Sequence, residues 1–367
     1  MKRFIGIMTI TSLFFCGCTS EPMEEVPPGE GEGNRLTLTY TIPDATTGTR
    51  AGVFTRAGGS YVEATGNESV VDGLHLLFFT PDDHGNGTFV ASAEAALKDA
   101  SLKQNTVTVT MPAEVQTDRE YSVLVVANLA RYLTDPVNRN TYLEGFRTKT
   151  YGQAWEELQV ILPTSTGVYA FPDGRLPMSG AAVKHAGSNA LSVDLLRAAV
   201  RIDVQVGGGL ADVTLNTVQL RNVATVVPFF RTQEEVSTSR AASTSLGVTG
   251  NKVTGGLYAV ETSLDVSDSR VMLKDATCLL LSLTSASVHI GENTGKTWYR
   301  VNLNVGADHR QFLKRNNAYR VVVTEVFSPG ASTPEEAYHD KAMLIGSVTI
   351  PTDWKASGVI PPDVTIQ

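Results

Sequence analysis

Cysteine is scarce in this chain. Cys16, Cys18 and Cys278 are all there are in 367 residues, and two of them crowd the start. A disulfide framework is therefore excluded as the source of stability. Basic charge is also short, with 30 Lys and Arg against 38 Asp and Glu, a net charge of -8. No basic cluster offsets that deficit, so nucleic acid is not an expected partner. The six histidines, His75, His84, His185, His289, His309 and His339, are scattered. None has another His or Cys at metal-ligand spacing, which argues against a catalytic zinc. Long apolar runs are missing too: a spanning helix needs about 20 residues, and the run from Phe4 to Phe15 stops short of that at Cys16.

Catalytic motifs are absent in the same way. The stretch Gly291-Glu292-Asn293-Thr294-Gly295-Lys296-Thr297 ends like a phosphate-binding loop, but Ile290 stands where its first glycine must be. A strand from Trp298 follows where a helix N-terminus would supply much of the phosphate binding, so a hairpin turn is the better reading. Ser179 lacks the glycine two residues before it that a nucleophile elbow needs, and a tight turn explains it better. Asp82, Asp83 and Asn86 offer oxygen atoms to calcium without the remaining ligands of an EF-hand or its closing glutamate. Nothing in this set amounts to an enzyme, and no cofactor or metal is expected.

What is present begins with an export signal over residues 1–18. Lys2 and Arg3 precede the apolar run, which closes on Phe15-Cys16-Gly17-Cys18. That ending resembles the lipobox of bacterial lipoproteins, in which the cysteine after a small residue is acylated and becomes the mature N-terminus. Cys18 is the expected lipidation site, and the outer membrane the expected anchor. Only Cys278 then remains as a free thiol. Set in Thr277-Cys278-Leu279-Leu280-Leu281, it reads as a buried core residue rather than a nucleophile. Residues 19–35, rich in Glu, Pro and Gly, read as a flexible tether. Glu21, Glu24 and Glu25 resemble the surface-export signal of Bacteroidales lipoproteins.

Leu36-Thr37-Leu38-Thr39-Tyr40-Thr41-Ile42 alternates apolar residues with threonine, the pattern of a half-buried strand. A loop over 43–59, rich in Gly, Thr and Ala, follows and carries Arg50 and Arg56. This strand thus sits between a membrane tether and the body, where one cut would remove it.

The body has 42% hydrophobic and only 19% charged residues, ample for two cores. Its pattern is mainly β, with strands expected over 73–79, 106–111, 121–128, 199–206, 213–220, 278–283, 298–305, 319–326 and 342–350. One amphipathic helix is expected over 151–159, where Tyr151, Ala154, Trp155 and Leu158 share a face and Trp155 reads as a packing anchor. Many short strands without strand-helix alternation predict an all-β chain of two sandwiches, 36–187 and 188–367, divided near Lys184 to Ala190. The tail 355–367 ends in the alternating Val364-Thr365-Ile366.

Five segments, in order, resemble the Bacteroidales fimbrillins, the FimA/Mfa-like subunits of type V pili. Leu195-Leu196-Arg197-Ala198-Ala199-Val200-Arg201-Ile202-Asp203-Val204 is similar to the strand that opens their second domain. Leu176-Pro177-Met178-Ser179-Gly180 resembles their Pro-Met-Ser-Gly turn, and the strand Glu120 to Asn128 ends, like theirs, in Ala-Asn. Leu257-Tyr258-Ala259-Val260-Glu261 resembles a Tyr-x-x-Glu segment, and Lys314 to Val323 their Arg-Asn-x-x-Tyr strand.

The resemblance implies two transthyretin-like β-sandwiches in tandem, with a short helix in the first. It also implies a structural subunit of a surface fimbria. Such a subunit is exported as a lipoprotein, freed of its first strand by an Arg-specific protease at Arg50 or Arg56, and joined head to tail with other subunits by donor-strand exchange, in support of adhesion. In that scheme Val364 and Ile366 belong to the donor strand. An anchor or tip subunit is the alternative within the family, and a surface lipoprotein binding glycan or a host protein is the alternative outside it.

Overall fold

The threonine-spaced stretch forms a strand, β1 (Arg35–Thr41), with the inner residues Leu36, Leu38 and Tyr40 buried and the threonines turned outward or half-covered. The computed structural model describes residues 34–43, 66–97, 104–232, 237–265, 275–285, 297–303, 310–324, 326, 330–339, 348–350 and 364–366. The expected lipidation site Cys18, the expected cleavage sites Arg50 and Arg56, the stretch from Gly291 to Lys296 and Trp354 all lie outside the described residues.

The first half is built mainly on two sheets. β1 lies between β4 (Gln104–Thr110) and β7 (Ala190–Asp194), antiparallel to the former and parallel to the latter. The second sheet has five strands in the order β8 (Leu196–Arg197), β6 (Met178–Lys184), β5 (Tyr121–Ala127), β2 (Gly73–Phe79) and β3 (Phe89–Ala96). β5 is buried at every position, as a central strand covered on both faces must be.

The second half repeats the arrangement with another pair of sheets. In one, β9 (Val200–Val206) runs parallel to β13 (Ala318–Val323), which continues antiparallel through β14 (Val348–Ile350) to β15 (Val364–Ile366) at the edge. The other centres on β10 (Val213–Arg221) and β11 (Cys278–Ser285), with β12 (Thr297–Asn302) beside β11. The chain is all-β, as its short alternating strands predict.

An unbroken apolar cluster runs through both halves, from Leu36 to Val323. Residues Val226–Pro228 of the second half also pair antiparallel with Gln159–Ile161 of the first, and Tyr169 donates its hydroxyl to the carbonyl of Tyr258.

Several expectations need correction. Residues 190–197, placed by sequence pattern with the second half, form β7 and β8 and pair with strands of the first. The reason is visible in Ala190 to Asp194, whose alternating pattern buries Leu191 and Val193 beside β1. Met178-Ser179-Gly180 is not a turn but the start of β6. Ser179 donates to the carbonyl of Phe229, and Gly180 is required because a Cβ there would overlap the carbonyl of Asp194 and the side chain of Val193. The helix from Tyr151 ends at Glu157 rather than Gln159, and begins with a capping box between Thr150 and Gln153. A helix at Pro136–Glu144, capped by Asp135 with Pro136 in its first turn, has little apolar periodicity and escaped the pattern reading.

Candidate assembly groove

β1 is held on both sides. Its register with β4 runs from Arg35↔Thr110 to Thr41↔Gln104, and with β7 from Thr37↔Ala190 to Thr41↔Asp194. Further backbone bonds, Thr37 N to Asn189 O at 2.7 Å and Leu195 N to Thr41 O at 2.8 Å, extend the ladder. Leu36, Leu38 and Tyr40 are 0% exposed and Ile42 1%. They share an inner face with Val109, Leu191 and Val193, all buried.

The outer face is polar, with Thr39 and Thr106 hydroxyls 3.0 Å apart. Burial raises the pKa of the Tyr40 phenol, and its hydrogen bond with Asn105 works against that rise. Taking β1 away would therefore leave a slot between β4 and β7, walled by apolar side chains and edged by unpaired backbone groups. Four large side chains at roughly 1.5 to 3 kcal/mol each make that burial worth about 6 to 12 kcal/mol, an upper bound.

Two chain segments flank residues 44–65. The upstream one ends at Pro43. The downstream one, 66–72, is fixed by polar contacts on several sides. Glu68, fully buried, receives hydrogen bonds from Arg201 at 3.0 Å and from the Tyr258 hydroxyl at 2.7 Å. Asn67 takes a bond from Arg175 at 2.9 Å, and Asp72 pairs with Arg131 at 2.7 Å. Asn128, in the left-handed region at φ 63, donates to the carbonyls of Val70 and Leu176 and accepts from the backbone of Asp72. That places an asparagine at the end of β5 for a reason, since it tolerates this conformation and bonds in three directions.

Arg197 and Arg201 come from the stretch Leu195 to Val204, and both are buried. Arg201 forms a fork with Asp203 at 2.8 and 3.2 Å. Burial works against its charge, yet the bonds to Asp203 and Glu68 leave its pKa raised. With Arg197 the group holds two cations and two carboxylates, so its formal charge balances, as a buried set requires. Arg315, from the Arg-Asn stretch, bonds Glu261 and the carbonyls of Phe229 and Arg231. Sequence reading marked these arginines only as parts of a resemblance and missed Glu68 altogether. Charged residues alternating within an apolar strand, as in Val200-Arg201-Ile202-Asp203, were the available signal.

Val364 and Ile366, expected in a donor strand, lie in β15 at a sheet edge, where Val364 pairs with Ile350 and Ile366 with Val348. Among the described residues β15 pairs with β14, over Val364 to Ile366.

The remaining sequence candidates resolve as structure. Cys278 is fully buried, and burial pushes its thiol up to about 11. Trp155 is half-buried against Phe230, ring centres 4.8 Å apart, and Trp298 packs with Leu280 and Ala331. Among the described residues no group of His, Cys, Asp and Glu is placed to hold a metal ion.

No protein-family model matches the chain, and no curated protein matches it in sequence. Solved structures do match in fold. A candidate cell adhesion protein from Parabacteroides distasonis is 17% identical, with a TM-score of 0.54 over 88% of this chain and 97% of that one. The tip fimbrial protein Mfa3 from Porphyromonas gingivalis, with a C-terminal truncation, is 16% identical, with a TM-score of 0.51 over 80% of this chain and 96% of that one. The fold of this chain is thus similar to that of Bacteroidales fimbrial and cell-adhesion proteins, in agreement with the resemblance carried by its five sequence segments.

Proposed function

We propose that this chain is a subunit of a surface fimbria, assembled by replacing β1 with a strand from a neighbour. The observation that carries the reading is the position of β1. It is the middle strand of its sheet, it buries Leu36, Leu38, Tyr40 and Ile42, and it is joined to the body by the residues that contain Arg50 and Arg56. A cut at either arginine separates the strand from the remainder of the chain. The vacated slot then needs an extended segment with alternating apolar residues, which is β-augmentation by another chain.

In the full scheme the precursor is acylated at Cys18, reaches the outer membrane, and is cut by an Arg-specific protease. The segment ending in Val364 and Ile366 enters the next subunit's slot. Among the described residues β15 is the last strand of its sheet, and its alternating Val364-Thr365-Ile366 suits such a slot, which supports that role. A paired Arg50→Ala, Arg56→Ala variant tests the scheme. It should reach the surface and stay monomeric, and normal polymers from it would refute cutting at these sites.

A second reading has its own observation. With β15 retained on its own sheet the chain accepts a neighbour's strand and donates none, as a terminal subunit does, and one of the fold neighbours is a fimbrial tip protein. Val364→Asp with Ile366→Asp separates the two: loss of polymer growth indicates a donor, and unchanged filaments indicate a terminal subunit.

A further inference from the structure

Arg197 grips the chain on both sides of residues 44–65. Its Nη1 donates to the carbonyl of Pro43 at 3.4 Å, its Nε to the carbonyl of Glu68 at 2.7 Å, and its Nη2 to the Ser69 hydroxyl at 2.9 Å. Asn316 Oδ1 accepts from Nη1 at 3.0 Å and so sets the plane of the guanidinium. One buried side chain therefore ties together the last residues before the segment to be cut and the first described residues after it. The grip is unequal. Among the described residues the downstream side has two of these bonds, reinforced through Glu68 by Arg201 and Tyr258 and through Asn67 by Arg175, whereas the upstream side has the longer bond to Pro43.

We infer that Arg197 is a positioning residue that makes release of β1 a second step, distinct from cutting. The inference rests on the strand-replacement reading above. Cutting between Pro43 and Glu68 breaks one peptide bond but leaves the ladders to β4 and β7, the four buried side chains and the Arg197–Pro43 bond in place. The severed strand stays seated, and the slot is never open to water while the subunit travels. That order matters because an empty slot is an aggregation hazard. After the cut the downstream segment is still joined covalently to the body, so the upstream strand is the side that can leave. The upstream strand, held at its end by the Pro43 bond, departs when a donor competes for the slot. The new N-terminal segment stays fixed at Glu68 and Ser69, and with it the contact between the two halves.

The test uses the full chain with the site of a sequence-specific endoprotease inserted between Arg50 and Arg56, so that its outcome does not depend on natural processing at those arginines. After the cut, the fragment containing β1 is followed by gel filtration and mass spectrometry, and its exit rate is measured against an excess of synthetic peptide spanning residues 34–50. In the parent chain the fragment should co-elute with the body. Arg197→Lys keeps the charge but loses the three-way fork, and should release the fragment about tenfold faster, the scale of one charge-assisted hydrogen bond. Ser69→Ala weakens only the downstream side and should release it at the parental rate. Should Arg197→Lys fold poorly, Asn316→Ala loosens the guanidinium without removing it and should give a smaller acceleration. Loss of the fragment as fast as the cut is made would overturn the inference, and so would equal exit rates for Arg197→Lys or Asn316→Ala and Ser69→Ala. Unfolding of the uncut variants, measured in parallel, separates general weakening from strand release: a clamp changes exit far more than it changes overall stability.

Discussion

Arg201 and Glu68 meet at 3.0 Å with neither side chain reached by solvent, across 133 residues of sequence. The pair joins the segment downstream of residues 44–65 to the strand that opens the second half. Asp203 bonds the Arg201 guanidinium and the Tyr258 hydroxyl donates to Glu68. Glu68→Ala leaves Arg201 with one carboxylate and should cost about 3 to 5 kcal/mol, as breaking a buried pair does. Out of a typical total of about 5 to 15 kcal/mol that is a large share, readable as a lower urea midpoint. A loss under about 1 kcal/mol would mean that the pair contributes little net stability.

Gly180 controls how closely β6 can approach β7, which is one wall of the groove. Gly180→Ala should force Asp194 and Val193 outward, at about 1 to 3 kcal/mol, the usual cost of overpacking. Because β7 is displaced, binding of a β1 peptide to the cut protein should weaken together with stability. Calorimetry reads the first and chemical denaturation the second. Unchanged peptide affinity would show that the wall does not depend on this contact.

The His75 ring is buried 3.8 Å from Glu94, which in turn lies 3.9 Å from Arg139. Burial lowers its pKa, Glu94 works in the opposite direction, and Arg139 adds to the lowering. The unfolded chain thus binds the additional proton first as pH falls. Stability from this site is fully present above about pH 6.5 and is lost progressively below it, toward the lower folded pKa. The melting temperature of the parent chain should fall between about pH 7.5 and pH 5, and His75→Gln should flatten part of that slope. Parallel curves for the two proteins would assign the pH dependence to other groups.

Burial of Cys278 sets its chemistry. With its thiol pushed up to about 11 and no exposed surface, it should resist maleimide in the folded protein and react promptly in denaturant. Prompt labelling of the native chain would contradict the packing of β11.

Much of the fold could be read from the sequence, for identifiable reasons. β1 and β2 carry a pattern that their burial repeats: Leu36, Leu38 and Tyr40 between threonines, and Leu76 to Phe79 as a continuous apolar run. The groove was legible as a strand but not as a slot, because β7 reaches β1 from far along the chain, and a parallel partner leaves no hairpin signal. The arginine cluster was hidden differently. Arg197, Arg201 and Glu68 look like surface residues until their partners are known, and those partners lie in segments no local pattern connects. β3 (Phe89–Ala96) and the helix at Pro136–Glu144 were missed because small or polar residues dilute their periodicity.

The central claim is that β1 leaves and another chain's strand takes its place. The most direct measurement is the N-terminal sequence and intact mass of the subunit recovered from SDS-resistant surface polymer. The account predicts a chain beginning at Ala51 or Ala57 and lacking Leu36 to Ile42. A polymerised subunit that still carries those residues would contradict it.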